Sequence, residues 1–380
     1  MIDGGLQMKK LTYGMVGGGI GSYIGAMHRR AIALDGTAEL VAGCFSQTRE
    51  KSLQLAEQLY VEPERVYADY ETMAQAEAAR ENGIDFVVVC TTNSSHYVIC
   101  RAFLNAGIHV VCDKPLTIEK QQAVALKQLA DAKNLILAVT YSYTGHVTLR
   151  AAKEMIAAGA IGNIRMIMAE YPLGWLSKAG AGGKQAWRLD PTQSGKSACM
   201  ADIGTHIENA VHTMTDLKIK RLLGKLDTMV EGRQLDDNGV VLCEYENGAT
   251  GVYWASVVAT GMDNALKIRV FGDKGTIEWE QENCEELVLI DENDTKHIYK
   301  RGSALLPQSA AQECRTPAGH PEGYLEALGN LYCNIARAIR QGNSENCLFP
   351  NADDGIEAIS FVDKVVESHL KGNIWICMED

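Results

Sequence analysis

Leu11-Thr12-Tyr13-Gly14-Met15-Val16-Gly17-Gly18-Gly19-Ile20-Gly21-Ser22-Tyr23-Ile24-Gly25 is an apolar run that breaks into a glycine-rich loop, and Ala26 to Leu34 then carries helical spacing. A strand, a glycine loop and a helix in that order form the phosphate-binding turn of a dinucleotide fold. The glycines permit a tight turn and close backbone approach. The helix N-terminus offers N–H groups and a positive dipole end to a pyrophosphate. The strict Gly-x-Gly-x-x-Gly spacing is broken. Counted from Gly17 and Gly19 the third position is Ser22, counted from Gly19 and Gly21 it is Ile24, and Gly25 arrives late. A plain structural loop is the other reading of such a run.

Ala38 to Phe45 reads as a second strand, followed by Ser46-Gln47-Thr48-Arg49. An acid about 20 residues past the glycines would hold a free ribose 2′-hydroxyl. Ser46 stands there instead, with Arg49 close by. Loss of the acid removes repulsion of a 2′-phosphate and an arginine could neutralise one, which tilts the cofactor from NAD towards NADP. The competing reading has Arg49 only opening the next helix on solvent. Ile84 to Cys90 is a buried strand that opens into Thr91-Thr92-Asn93-Ser94-Ser95-His96, with a helix from Tyr97 to Ala106. Short polar groups there can meet ribose and nicotinamide, or Ser94 or Ser95 can simply cap the helix.

Gly107-Ile108-His109-Val110-Val111-Cys112-Asp113-Lys114-Pro115 is apolar on both faces, as a parallel strand buried on both sides must be. Pro115 cannot donate to a ladder and ends it. Ligands of open parallel sheets bind outside the carboxyl ends of the strands, so Lys114 stands where chemistry is done. A helix from Ile118 to Lys133, with Thr117 as its N-cap, and a strand from Leu135 to Thr140 complete the alternation. Residues 1–143 therefore read as a doubly wound α/β Rossmann domain.

After Thr144 the rhythm changes. Helix His146–Ala158 leads to strands at Asn163–Tyr171, Leu222–Val230, Gly239–Glu246, Thr250–Val258, Leu266–Phe271 and Thr276–Glu280. Asn247-Gly248 and Asp273-Lys274-Gly275 are hairpin turns. Helices at Glu322–Gln341 and Gly355–Leu370 close the chain. Residues 144–380 read as an α+β domain with a mainly antiparallel sheet. Within it, a helix starting near Asp202 places Asp202 and His206 four apart on one face. That pair can orient a hydroxyl and take its proton; a surface pair or cap contact is the alternative. Gly204 costs such a helix about 1 kcal/mol against alanine, which points to close approach by something, a cofactor being one option. His206, His212 and His320 fit no zinc spacing, and no metal is expected.

The chain has 380 residues, 46% hydrophobic and 22% charged, which suits a soluble globular protein of two domains. A formal net charge of −12 argues against a nucleic-acid or anionic-membrane surface. The 11 cysteines are scattered, without Cys-x-x-Cys, as small apolar residues of a reducing compartment. Met1 to Lys10 lead into a strand rather than a signal-peptide core, and no apolar run approaches a membrane span. A cytoplasmic location is expected.

Taken together and in order, the glycine loop, Thr91-Thr92-Asn93-Ser94-Ser95-His96, Asp113-Lys114-Pro115 and Asp202-Ile203-Gly204-Thr205-His206 resemble the Gfo/Idh/MocA family of NAD(P)-dependent oxidoreductases. Gly159-Ala160-Ile161-Gly162-Asn163-Ile164-Arg165 is similar to that family's entrance to its second domain, and Gly319-His320-Pro321-Glu322-Gly323-Tyr324 and Trp375 to a sugar-oxidising branch. The resemblance implies that Lys114, Asp202 and His206 are catalytic, with His206 as general base, Asp202 positioning and Lys114 steadying the reacting oxygen. Gly17, Gly19, Ile20, Gly21, Ser46, Arg49, Thr91, Asn93, His96, Asp113 and Lys114 would hold the cofactor. Tyr143, Tyr171, Trp187, Arg188 and His320 would line the substrate pocket; for Trp187 a core position is the competing reading. Asp113 replaces the family's usual glutamate, and the lengthened loop leaves open which amides meet the pyrophosphate.

The expected function is hydride transfer between NAD or NADP and a secondary hydroxyl or ketone of a cyclic sugar, sugar derivative or inositol, in a homodimer or homotetramer. The rivals are a non-catalytic NAD(P)-sensing protein on the same fold and a ketone or lactone reductase. Direction cannot be read from the residues, because the same groups serve both by microscopic reversibility.

Overall fold

The computed structural model describes residues 10–379; all but the last residue of the Met1–Lys10 stretch lie outside them. The first sheet is built from β1 (Leu11–Gly17), β2 (Ala38–Cys44), β3 (Phe86–Cys90), β4 (His109–Cys112) and β5 (Leu137–Val139), in the order β2-β1-β3-β4-β5. Every neighbouring pair is parallel. The strand order reverses between β1 and β3, where Gly17 pairs with Cys90. The crevice for a ligand therefore opens beyond the glycine loop. Helices α1 (Tyr23–Leu34), α2 (Arg49–Leu59), α3 (Tyr70–Ala79), α4 (Asn93–Asn105) and α5 (Lys120–Ala132) cover the sheet. The apolar residues of β3, Phe86 to Cys90, are all buried, as expected of a strand covered on both faces.

Several boundaries differ from the sequence reading. Helix α4 starts at Asn93 rather than Tyr97, with Thr92 rather than Ser94 or Ser95 as its N-cap, and the strand read from Leu222 starts at Ile219. Helix α1 starts at Tyr23 rather than Ala26, because Ser22, at the place of a missing third glycine, is its N-cap and accepts from Gly25 N at 3.2 Å. Gly25 is then not a late loop residue but a packing one: a Cβ there would stand 2.3 Å from Gly18 Cα. Thr117 does not cap α5, whose N-cap is Glu119; the Thr117 hydroxyl donates to Glu119 O at 2.8 Å.

The second sheet has nine strands in the order β13-β12-β11-β10-β6-β9-β8-β7-β14. They are β6 (Ile164–Pro172), β7 (Ile219–Asp227), β8 (Asn238–Tyr245), β9 (Thr250–Ser256), β10 (Lys267–Gly272), β11 (Gly275–Glu280), β12 (Glu286–Asp291), β13 (Lys296–Lys300) and β14 (Ile376–Cys377). Only the β6–β9 pair is parallel. Sequence reading missed β12, β13 and β14: β13 is nearly all exposed, with no apolar alternation to betray it, and β14 is two residues long. One face of the sheet packs on α6 (Val147–Ala157), α8 (Thr205–Thr215) and α11 (Ala352–Leu370). The short helices α7 (Pro191–Ser194) and α9 (Gln308–Ala311) sit in the connecting loops.

The closing helices also reach beyond the second sheet. Leu328, Leu331, Tyr332 and Ile335 of α10 (Tyr324–Gln341) join the core formed by Met15, Phe86 and Val88. Ala352 and Ala358 of α11 pack with Leu116, Val139 and Tyr141. Pro350 O accepts from Val139 N at 2.9 Å, which occupies the open edge of β5. A cut at residue 143 thus separates the two sheets but not the two cores. Among the described residues no helix is long and apolar enough to cross a membrane.

Candidate active site

Lys114 follows β4 directly, joined to Pro115 by a cis peptide bond. Its backbone is held from two sides. The Asp113 carboxylate accepts from Lys114 N at 2.9 Å and from Thr140 Oγ1 at 3.1 Å, so the shortened acid pins the turn. Behind it, His96 is 1% exposed and its ring nitrogens meet Pro115 O at 2.8 Å and Thr91 O at 3.3 Å. His96 is therefore committed to backbone carbonyls, and burial lowers its pKa.

So fixed, Lys114 Nζ reaches across to the second domain, 2.7 Å from Asp202 Oδ1 and 2.5 Å from Asp202 O. Asp202 lies in a π-helical turn, Met200–Gly204, that runs into α8; such turns favour functional sites. Gly204 is crowded by this turn itself: a Cβ would stand 2.6 Å from Met200 Sδ. Arg188 Nε is a second cation on Asp202 Oδ1, at 3.2 Å, and its guanidinium stacks 4.5 Å from the ring of the half-buried Trp187. Burial alone would raise the Asp202 carboxyl, but Arg188 and Lys114 outweigh it and hold the group far below the usual carboxylate range.

His206, one turn on, is 7% exposed and sits edge-on to Tyr141, Tyr143 and Tyr171, at ring distances of 5.5, 4.8 and 6.1 Å. Burial and then Lys114 push its pKa well below 6.5, against a smaller upward pull from Asp202. The imidazole is neutral at pH 7, the form that accepts a proton. Tyr143 donates to the Tyr171 hydroxyl at 2.5 Å, Tyr171 donates to Asn264 Oδ1 at 2.5 Å, and Asn264 Nδ2 donates to the Tyr143 oxygen at 3.3 Å. Burial raises both phenols, so they remain hydroxyl donors.

The sequence candidates Lys114, Asp202, His206, Arg188, Tyr143 and Tyr171 thus converge. His320 is exposed on the loop before α10, where it is the backbone carbonyl that is held, by Arg301 Nη2 at 2.5 Å. Arg49 also points elsewhere: its Nε and Nη2 donate to Val66 O at 3.1 Å and Pro63 O at 3.3 Å. Sequence reading missed Asn264 and Asp236. Asp236 accepts from Ala198 N, Cys199 N, Met200 N and Ser197 Oγ, at 3.0, 3.1, 3.1 and 2.9 Å, and so caps the turn that carries Asp202. Both come from loops between strands, where a polar residue is unremarkable and only folding reveals its partner.

A dinucleotide fits the first domain. Gly17 has φ +86°, and a Cβ there would lie 2.6 Å from Cys90 O, so the loop is a cradle that side chains would fill. Ile20 and Tyr23 stand exposed on its rim, the first amides of α1 lack intrahelical acceptors, and Thr91 lies against Gly17. Among the described residues no group of three or more His, Cys, Asp or Glu is placed to hold a metal ion.

Comparison with known proteins agrees with this geometry. Residues 11–141 match the oxidoreductase family with an NAD-binding Rossmann fold, and residues 149–278 match the GFO/IDH/MocA C-terminal domain. The chain is 36% identical over 381 residues to the uncharacterized oxidoreductase YfiI of Bacillus subtilis (strain 168), covering 97% of each. It is 25% identical to levoglucosan dehydrogenase of Pseudarthrobacter phenanthrenivorans, over 77% of this chain and 80% of that one. The crystal structure of an inositol dehydrogenase homolog from Azotobacter vinelandii, complexed with NADH and myo-inositol, superposes with a TM-score of 0.93 at 36% identity, over 97% of this chain and 98% of that one. The chain belongs to the Gfo/Idh/MocA family and is an NAD(P)-dependent oxidoreductase, a dehydrogenase or reductase acting on CH–OH groups.

Proposed function

We propose that the protein interconverts a secondary hydroxyl and a ketone on a cyclic sugar, sugar derivative or inositol. One observation carries the reading: Lys114, a carboxylate it pairs with at 2.7 Å, and a neutral buried imidazole meet at the carboxyl end of a dinucleotide-type sheet. Bound NAD(P)⁺ would supply the acceptor for the hydride of the carbinol carbon. In the oxidising direction the Lys114 ammonium steadies the developing alkoxide, and His206 takes the hydroxyl proton. Asp202 holds Lys114 in place. Trp187 offers a face to the ring of a sugar, while Arg188, Tyr143, Tyr171 and Asn264 supply hydroxyl partners. The same groups run the reaction backwards, so ketone reduction belongs to the same proposal.

Kinship at 36% identity with a structure holding NADH and myo-inositol favours a polyol over a non-carbohydrate ketone or lactone. A cofactor-sensing protein would have no need of the three polar groups that converge here. As to the cofactor, Arg49 is bonded to loop carbonyls, so the lean to NADP rests on Ser46 alone. A spectrophotometric panel of inositols, aldoses and anhydrosugars with NAD⁺ and with NADP⁺ tests both points. Turnover of at least one polyol is expected, and turnover left unchanged in Lys114→Ala or His206→Ala would refute the assigned roles. We further propose a cytoplasmic homodimer or homotetramer paired through the open face of the second sheet, where Met166, Val240 and Leu242 are exposed. A monomer mass by light scattering at micromolar concentration would refute the assembly.

A further inference from the structure

Each alcohol oxidised leaves one proton behind, and burial and Lys114 keep His206 from holding it. Its Nδ1 is buried without a hydrogen-bond partner among the described residues. The same is true of Tyr141 OH, Glu208 Oε2 and Asn209 Oδ1, so four orphaned buried polar atoms fall on Tyr141 and one turn of α8. A buried polar atom left unsatisfied is costly, and native proteins meet such groups with ordered water. Tyr141 packs against one end of the set and feels the charge of the other. Its ring is edge-on to His206 at 5.5 Å, and its hydroxyl lies in the field of Glu208. The neighbouring Thr205 hydroxyl is already given to Ala201 O at 3.0 Å.

Glu208, two residues past His206, projects from roughly the opposite side of the helix, towards the start of α11. There it lies in the field of Glu357 and Asp354. Asn209 Nδ2 donates to Asp354 Oδ1 at 3.2 Å, and His212 lies in the field of the same carboxylate.

We propose that Tyr141, Glu208 and buried water form a proton exit behind His206, leading along the seam between α8 and α11 to Asp354, Glu357 and His212. The proposal rests on the reading that His206 takes the substrate proton. In the step, one imidazole nitrogen accepts the hydroxyl proton while Nδ1 releases its own to water, so the ring ends neutral. That proton passes through the Tyr141 hydroxyl, whose own proton moves on, to the carbonyl oxygen of the protonated Glu208 carboxyl; its O–H proton leaves outward. No oxidant beyond the nicotinamide cofactor is involved. Burial first, then Glu357 and Asp354, keeps Glu208 protonated well above the ordinary glutamate range. The sheet side presents only Cys243, Tyr245 and Tyr253 among the titratable groups that feel Glu208. Tyr141 also feels Asp354 and Asp113, and His206 feels Lys114 and Asp202.

The test is stopped-flow in weak buffer with a pH indicator, on the holoenzyme with a polyol that wild type oxidises, comparing Glu208→Gln and Tyr141→Phe. We expect kcat to fall about tenfold or more, KM to stay within about twofold, proton release to lag behind cofactor reduction, and added imidazole to restore the rate. Proton release that keeps pace with reduction in both variants overturns the exit. If the Glu208 variant does not fold, Tyr141→Phe alone decides it. A second readout needs no turnover: the infrared difference between wild type and Glu208→Gln should carry a protonated carboxyl band at pH 7. Carboxylate bands in its place overturn the exit and leave the polyol reading standing. A wild type that oxidises no polyol yet shows the band overturns the polyol reading instead, and supports the carboxyl as a proton carrier.

Discussion

Lys114 on its strand is only a cation at the end of a sheet; its neighbours make it a reagent. It pairs with Asp202 and depresses His206 at once. Replacing it with methionine should therefore do two separable things. Turnover should fall by about 10²–10⁴, and the His206 imidazole, followed by NMR titration, should take its proton at higher pH than in wild type. The sign follows from removing a like charge; an imidazole that titrates where it did before would contradict it. Arg188 acts on the same carboxylate from the other side. In Arg188→Ala, Asp202 keeps one cation of two, and its carboxyl should protonate at higher pH than in wild type, as read by carbon NMR.

The turn from Met200 to Gly204 is an element whose shape depends on a distant acid. Asp236 accepts from three successive backbone amides and the Ser197 hydroxyl in a buried setting. Asp236→Ala would strand those donors, and a loss of about 3 kcal/mol in urea unfolding is expected. Asp236→Asn, which keeps one good acceptor, should lose less. The glycine loop makes a comparable demand. Gly25→Ala would drive a Cβ to 2.3 Å from Gly18 Cα, so the loop must move. The thermal-shift gain on adding NADH should shrink sharply in that variant, while a gain equal to wild type would mean the Gly18–Gly25 contact does not shape the cofactor cradle.

At the scale of the molecule, several histidines are buried neutral. His146, between Tyr143 and Trp279, is pushed down to about 3 by burial, with Arg150 adding to it. The unfolded chain takes this proton near pH 6.5 and the native one refuses it, so its contribution to stability is lost as pH falls from 6.5 towards 3. The slope for one such group is about 1.4 kcal/mol per pH unit. A His146→Gln variant should show a flatter decline of Tm over that window than wild type, whatever the change in Tm at pH 7. Parallel curves would assign the decline to other groups. The closing helices matter at this scale too. Asn330 of α10 donates to Gly145 O at 2.8 Å and Asn334 to Glu313 Oε1 at 2.9 Å, while the apolar face of α10 packs in the first domain, so the helix joins the two cores.

Much of this was legible in the chain, because it rests on local physics. Strand runs apolar on both faces, glycines before a helix and a lysine ahead of a proline declare themselves within ten residues, and so does the spacing of Asp202 and His206, although the turn between them is π-helical and α8 starts only at Thr205. The errors were local as well: Ser22 rather than a third glycine starts α1, and Glu119 rather than Thr117 caps α5. Tertiary structure alone decided the rest. Asp236 and Asn264 find their partners across sheets, Arg49 spends its donors on a neighbouring loop, and α10 and α11 return to a core begun some 300 residues earlier. Sequence periodicity shows which face of an element must be buried; what buries it depends on contacts between distant segments, and those exist only once the chain has closed.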